Sequence, residues 1–202
     1  MRLSRVEVTG SFLLFITWLN YIDTQALVPM ALFACLCHEC GHCLAIWFTH
    51  GRVRLLRLSC IGAQIYLEKP LPHTQELFVA LCGPAVNLLL AKGITNETFS
   101  GINLSLAFFN LLPIGQLDGS RILHSLLSLF FSGVAADKVL LVVGYVLSII
   151  VWLSALCLLF LNKNFTLFLA STWLLVRTFL PEFSKIDRKR IELGLVRKRI
   201  RR

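Results

Sequence analysis

The chain has 202 residues, 56% of them hydrophobic and only 15% charged, with a mean hydropathy of +0.74. Soluble domains run at about 45–50% apolar, so this composition excludes an ordinary soluble protein and points to a polytopic membrane protein. The net charge of +9 is no sign of nucleic-acid binding: nine Lys/Arg against three Asp/Glu lie between Glu182 and Arg202, without an aromatic or Gly-rich pattern, as suits a cytoplasmic tail facing anionic lipid.

Six apolar segments approach the 17–25 residues that a membrane span requires, at 10–27, 28–50, 75–94, 100–131, 138–161 and 164–181. Arg2 and Arg5 precede the first, but no small-x-small cleavage site follows, so it is read as an uncleaved span. The second, ALVPMALFACLCHECGHCLAIWF, carries His38-Glu39-Cys40-Gly41-His42, an H-E-x-x-H pattern inside a membrane segment. After it, Ala63, Ile65 and Leu67 alternate with Gln64, Tyr66 and Glu68, the period of two of a strand. Gly62 marks a bend or a close backbone approach. This predicts a strand or hairpin at the cytoplasmic membrane surface. The fourth segment is too long for one straight span and should break at Pro113, Gly115 and Asp118-Gly119.

The Lys/Arg bias sets the orientation. Arg2, Arg5, Arg52, Arg54, Arg57, Lys69, Lys138 and the tail fall on one side, Lys92 and Lys163 on the other, giving cytoplasmic N- and C-termini. The predicted fold class is an all-α polytopic membrane protein of about six transmembrane helices, with a short membrane-associated strand or hairpin after the second. Residues 1–181 form its core and 182–202 its basic cytoplasmic tail.

Two His four residues apart share one helix face, as a zinc pair needs, and the Glu between them is placed to handle a water proton. An ionisable side chain at the bilayer centre costs about 2.5–3.5 kcal/mol, so Glu39 is not expected there without a role. A catalytic zinc usually has three protein ligands and one water. Of eleven Asp and Glu, Asp118, just past the predicted break, is the other acid placed within the membrane. One Zn²⁺ with neutral His38 and His42 and the carboxylates of Asp118 and Glu39 sums to zero charge, which makes two buried acids tolerable. Glu39 is then the base that takes the water's proton and passes it to a leaving amine as a peptide carbonyl is attacked. Asn87 in C-G-P-A-V-N, or Asn110, could stabilise the oxyanion; for Asn87 a plain interhelical hydrogen bond is an equal reading. The strand near Gly62–Tyr66 could capture an unwound substrate by strand addition, with Gln64 among its polar contacts or as an ordinary surface residue.

Four of seven cysteines, Cys35, Cys37, Cys40 and Cys43, crowd the second segment, where no disulfide framework is expected. They read as small core residues, or, for Cys35 on the His face, as an additional soft metal ligand.

H-E-C-G-H on a membrane helix, G-P-x-x-N on the next and N-x-x-P-x-x-x-x-D-G on the one after resemble the site-2 protease family of intramembrane zinc metalloproteases, peptidase family M50, over nearly the whole chain. The small size and the C-I-G-A strand most resemble the branch that holds stage IV sporulation protein FB. The resemblance implies His38, His42 and Asp118 as zinc ligands, Glu39 as catalytic base, Asn87 and Asn110 near the site, and substrate engaged by the strand around Gly62. It implies a transmembrane or membrane-associated protein as substrate (in this branch a sigma-factor precursor), membrane inhibitors or regulators as partners, and a bacterial cell membrane as location. Gly115-Gln116 stand where relatives often have a second proline, so a looser local backbone is expected. Two other functions remain open: a metal-binding or transport protein using the Cys/His cluster, and a catalytically silent membrane chaperone.

Overall fold

The computed structural model describes residues 6–59, 62–163 and 165–179. Among them the order is β1 (Val6–Val8), α1 (Gly10–Ile22), α2 (Leu27–Phe48), β2 (Val53–Ser59), β3 (Gly62–Leu67), α3 (His73–Gly93), α4 (Glu97–Leu111), α5 (Asp118–Phe130), α6 (Gly133–Asn162) and α7 (Phe165–Phe179). The described chain divides after Ala136 into two compact units. The first holds β1 through α5, and the second most of α6 with α7, tied by a bond from Trp152 Nε1 to Thr172 Oγ1 of 2.9 Å. The basic tail lies outside the described residues.

Among the described residues three helices are long and apolar enough to cross a membrane by themselves: Leu27–Phe48, His73–Gly93 and Gly133–Leu161. Gly10–Ile22 and Leu167–Val176 are apolar but shorter. Large side chains such as Phe33, Leu36, Trp47 and Leu89 stand on the exterior, as they do where lipid is the solvent. The first two segments, nearly continuous in hydropathy, are separated by the turn 23–26. There the Asp23 carboxylate accepts from the N–H groups of Gln25 (3.1 Å) and Val28 (2.7 Å), satisfying donors at the start of α2. These bonds hold the Asp23 carboxyl below its usual range.

The fourth segment is two helices. α4 runs antiparallel to α3: Ser100 donates to Ala91 O, and Asn103 meets Asn87. α5 continues in the same direction, since Asp118 lies level with Val79 and His42, Arg121 with Glu76, and His124 with His73. The pair therefore runs, broken at 112–117, along the length of α3. The break is ordered: Ile114 N–H donates to Leu112 O, Leu117 N–H to Ile114 O and Ser120 N–H to Leu117 O, with Ile114 fully buried. Gly115 has φ +59°, which a proline ring cannot adopt. Gly119 lets α5 tuck against the end of α4, because a Cβ there would fall on Leu111 O.

The hairpin is present and larger than expected. β2 pairs antiparallel with β3, Val53 opposite Leu67 and Ser59 opposite Gly62, with an irregularity between Val53 and Leu55. β1 adds a parallel strand on the other side, Val6 opposite Leu56 and Val8 opposite Leu58. Three residues of strand ahead of an apolar helix carry too little periodicity to be read from sequence. Val53 packs with Ala45 and Ile46 of α2 and Val79 of α3, and Ile65 and Leu67 close over them. The sheet is thus clamped to the end of α2 that bears the histidines.

Candidate metal centre

His38 and His42 lie one turn apart on α2 and are nearly buried, 5% and 3% exposed. Asp118, the first residue of α5, is 6% exposed and meets both. Its Oδ2 lies 3.0 Å from each Nε2, and the two Nε2 atoms are 3.1 Å apart. Among the described residues these three form the one group able to offer a metal three ligand atoms. The break at 112–117 is what brings a helix N-terminus, with its acid, to this depth.

The hydrogen-bond partners settle which atoms carry protons. His42 Nδ1 faces Val79 O at 2.8 Å, and a carbonyl can only accept, so Nδ1 bears the proton. His38 Nδ1 faces Asn87 Oδ1 at 2.5 Å and must likewise donate. In the neutral rings both Nε2 atoms are then bare lone pairs, pointing with a carboxylate oxygen at one spot. Three acceptors some 3 Å apart repel unless a proton or a metal cation lies among them. In a tetrahedral zinc site with bonds of 2.0–2.1 Å, ligand atoms stand about 3.3 Å apart. The donor set therefore fits zinc in type, number and spacing.

Two glycines allow this closeness. A Cβ on Gly83 of α3 would fall on His42 Nε2 and lie 2.8 Å from His38 Nε2, and one on Gly41 would lie 2.8 Å from Cys82 O. On the far side of the carboxylate, Arg121 Nη1 donates to Asp118 Oδ1 at 3.1 Å, leaving Oδ2 to the histidines. The same guanidinium donates through Nε and Nη2 to Glu76 Oε1, both at 2.8 Å. This pair adds no net charge, so Asp118 and Glu39 still balance a divalent cation.

The other sequence-derived residues fall as follows. Glu39 is half-buried on α2 between the two ligands. Asn87 is fully buried and touches His38; its two N–H groups go to Ala34 O and Asn103 Oδ1, so it has none left for an oxyanion. Asn110 back-bonds to Leu106 O at 3.1 Å and is outside the three-ligand group. Gly62 opens β3 opposite Ser59, and Gln64 accepts from the Tyr66 hydroxyl at 3.0 Å. Cys35 and Cys40 are exposed, and no cysteine belongs to the three-ligand group. Asn103, Arg121, Glu76 and the Val79 carbonyl were not singled out from sequence, and Gly83 entered only as the glycine of the G-P-x-x-N motif. Glu76 shares a face of α3 with Asn87 by its spacing, and a carboxylate on an apolar helix could have found it.

Because the three ligand atoms crowd one another without a cation, metal removal should weaken the fold. At zinc a hundredfold above its dissociation constant, the bound ion adds about 2.7 kcal/mol. Melting of the detergent-solubilised chain should shift down in excess chelator and return on adding zinc. Equal midpoints would overturn this.

Residues 95–154 match the model of peptidase family M50. The chain is 35% identical over 105 residues to a putative zinc metalloprotease of Synechocystis, covering 44% of this chain and 28% of that protein. It is 26% identical over 188 residues to a zinc metalloprotease of Methanocaldococcus jannaschii, covering 82% and 54%. To stage IV sporulation protein FB of Bacillus subtilis it is 32% identical over 107 residues, covering 46% and 37%. The chain thus spans from about a quarter to about half the length of these relatives. Its fold matches the solved site-2 protease of Methanocaldococcus jannaschii with a TM-score of 0.64 at 24% identity, over 88% of this chain and 91% of that one.

Proposed function

We propose that this chain, a member of the site-2 protease and peptidase M50 family, is a zinc-dependent endopeptidase that cuts a membrane-bound protein substrate in or near its transmembrane segment. The observation that carries this is the convergence of two imidazole Nε2 atoms and a carboxylate oxygen within 3.1 Å, inside a chain with three described helices long and apolar enough for a bilayer.

His38, His42 and Asp118 would hold the zinc, which would supply Lewis acidity there, bringing the pKa of water to about 7 and polarising a carbonyl. Glu39 takes the water's proton and delivers it to the leaving amine. Arg121 holds Asp118 through Oδ1, which leaves Oδ2 for the metal site. Asn110 keeps one amide N–H uncommitted by its bond to Leu106 O and is the remaining Asn candidate for the oxyanion. A helical substrate must first unwind, and β3 offers it a strand edge, since β2 is already paired on both sides. Val79 supports this role: its side chain packs with the sheet while its carbonyl holds His42, so the strand and the metal ligand share one anchor.

The proposed substrate is a membrane-bound protein; the similarity to stage IV sporulation protein FB, 32% identical over 46% of this chain, is one of several distant likenesses and by its name points no further than sporulation. The sequence charge bias supports cytoplasmic termini, with anionic lipid at the basic tail. The exposed positions of Cys35 and Cys40 weigh against a metal-transport role built on the cysteines.

The test is cleavage of single-span candidate substrates by co-expression, wild type against Glu39→Gln. Glu39→Gln should lower turnover by about 10²–10⁴-fold while zinc content stays unchanged. Cleavage persisting in Glu39→Gln would remove the mechanism.

A further inference from the structure

We propose that Asn103, on α4, is a positioning residue that fixes the metal-binding tautomer of His38 by acting through Asn87. The inference rests on His38 being a zinc ligand and goes beyond it by assigning a task to a residue that touches neither metal nor ligand.

The argument is a chain of donors and acceptors with one self-consistent direction. Asn103 Nδ2 donates to Phe99 O, one turn back on its own helix, at 2.9 Å. Its Oδ1 therefore faces Asn87 and accepts from Asn87 Nδ2 at 2.8 Å. Asn87 Nδ2 also donates to Ala34 O, at the longer distance of 3.3 Å. With its nitrogen so committed, Asn87 turns its oxygen to His38 Nδ1. A facing amide oxygen forces the proton onto Nδ1 and leaves Nε2 bare for the metal. Asn103 and Asn87 are both fully buried, so no solvent competes for these groups.

An amide can rotate half a turn and exchange oxygen for nitrogen, and nothing in Asn87 itself prevents it. A rotated Asn87 would present N–H to His38 Nδ1, draw the proton to Nε2 and block the ligand atom. Two acceptors oppose this rotation, and Asn103 Oδ1 is the nearer. His42 needs no such device, because its partner is the Val79 carbonyl, which cannot turn round. Three helices thus contribute to one imidazole: α4 orients α3's Asn87, which orients α2's His38.

A purely structural tie between α3 and α4 would make a different prediction, and three variants separate the two. Asn103→Leu keeps the bulk and loses the acceptor. Asn103→Asp, as the protonated acid, supplies an O–H donor and a carbonyl acceptor in the same two places. His42→Ala reports whether the site binds zinc at all. Zinc affinity is read in detergent by competition with a chromophoric chelator, the ligand field by the visible absorption of the Co²⁺-loaded chain, and the apo fold by melting in excess chelator. Expected are a loss of zinc affinity of roughly 10–100-fold in Asn103→Leu, an altered Co²⁺ spectrum, and near-native values of both in Asn103→Asp. Zinc should also raise the melting midpoint less in Asn103→Leu than in wild type. Wild-type affinity and spectrum in Asn103→Leu, with His42→Ala impaired, overturn the relay and leave the zinc site standing. Equal losses in Asn103→Leu and Asn103→Asp overturn it too, as does a fall in apo melting that accounts for the whole effect. Unchanged zinc binding in His42→Ala overturns the metal reading itself, and the relay with it.

Discussion

Gly83→Ala should abolish zinc binding under conditions in which the chain still folds. The added methyl would occupy the place of His42 Nε2 and press on His38 Nε2. It cannot be relieved by a rotamer change, since alanine has none, so either the imidazoles leave their convergence or α3 moves away from α2. The first outcome destroys the donor triangle. The second also loosens Val79 O from His42 and Asn87 from His38, because both partners lie on α3. Either way the affinity should fall on the order of 100-fold or more, beyond what a lost outer hydrogen bond causes. Gly41→Ala makes the control on the facing helix. Its methyl would meet Cys82 O and Val86 rather than a ligand atom, so it should act chiefly through helix separation, at about 1–3 kcal/mol of stability. Chelator competition and melting in excess chelator separate the two. Gly83→Ala with wild-type zinc affinity would remove the claim that this glycine exists to admit the histidines.

The contrast between these two glycines also explains what the sequence could show. H-E-x-x-H is legible because a helix places residues four apart on one face whatever surrounds it. Asp118 was legible for a different reason: an acid beside helix breakers in an apolar segment has few places to go. The break, the hairpin and the three-ligand set followed from such local rules. What stayed hidden depends on which helix faces which. Gly83 was visible as the glycine of G-P-x-x-N, but what it does there is hidden until α3 is known to lie across the His pair. The Val79 carbonyl has no side-chain signature at all. Asn103 lies seven residues before Asn110, near enough to the same face of α4 to draw attention to the nearer-motif residue and away from itself. The structure reverses their weight: Asn103 is buried in the relay, and Asn110 bonds to its own helix. Arg121 was the most readable omission, a cation three residues after Asp118 within an apolar stretch, where its cost demands a partner.

That partner gives the second large effect. Glu76→Gln should lower both stability and zinc affinity, although Glu76 touches no ligand. Glu76 Oε1 takes two of the three guanidinium bonds that fix Arg121, and the third goes to Asp118. Without its carboxylate, Arg121 keeps Asp118 as its sole anion and competes with the metal for it. The charge around the site becomes more positive by one, which also opposes a cation. Orientation and field act in the same direction, so a loss of tenfold or more in affinity is expected. Removing one partner of a fully buried pair costs about 3–5 kcal/mol, but Arg121 is 34% and Glu76 25% exposed at the side chain, which reduces the expectation to roughly 1–3 kcal/mol. The double variant Glu76→Gln/Arg121→Met decides the cause. It leaves no unpaired cation and restores the charge balance, so its apo melting should recover most of what Glu76→Gln loses. Its zinc affinity should recover only in part, because the field is repaired while Asp118 Oδ1 remains unheld. Additive losses in the double variant, in melting and in chelator competition alike, would mean that Glu76 and Arg121 act separately and that the Glu76 effect does not reach Asp118 through the guanidinium.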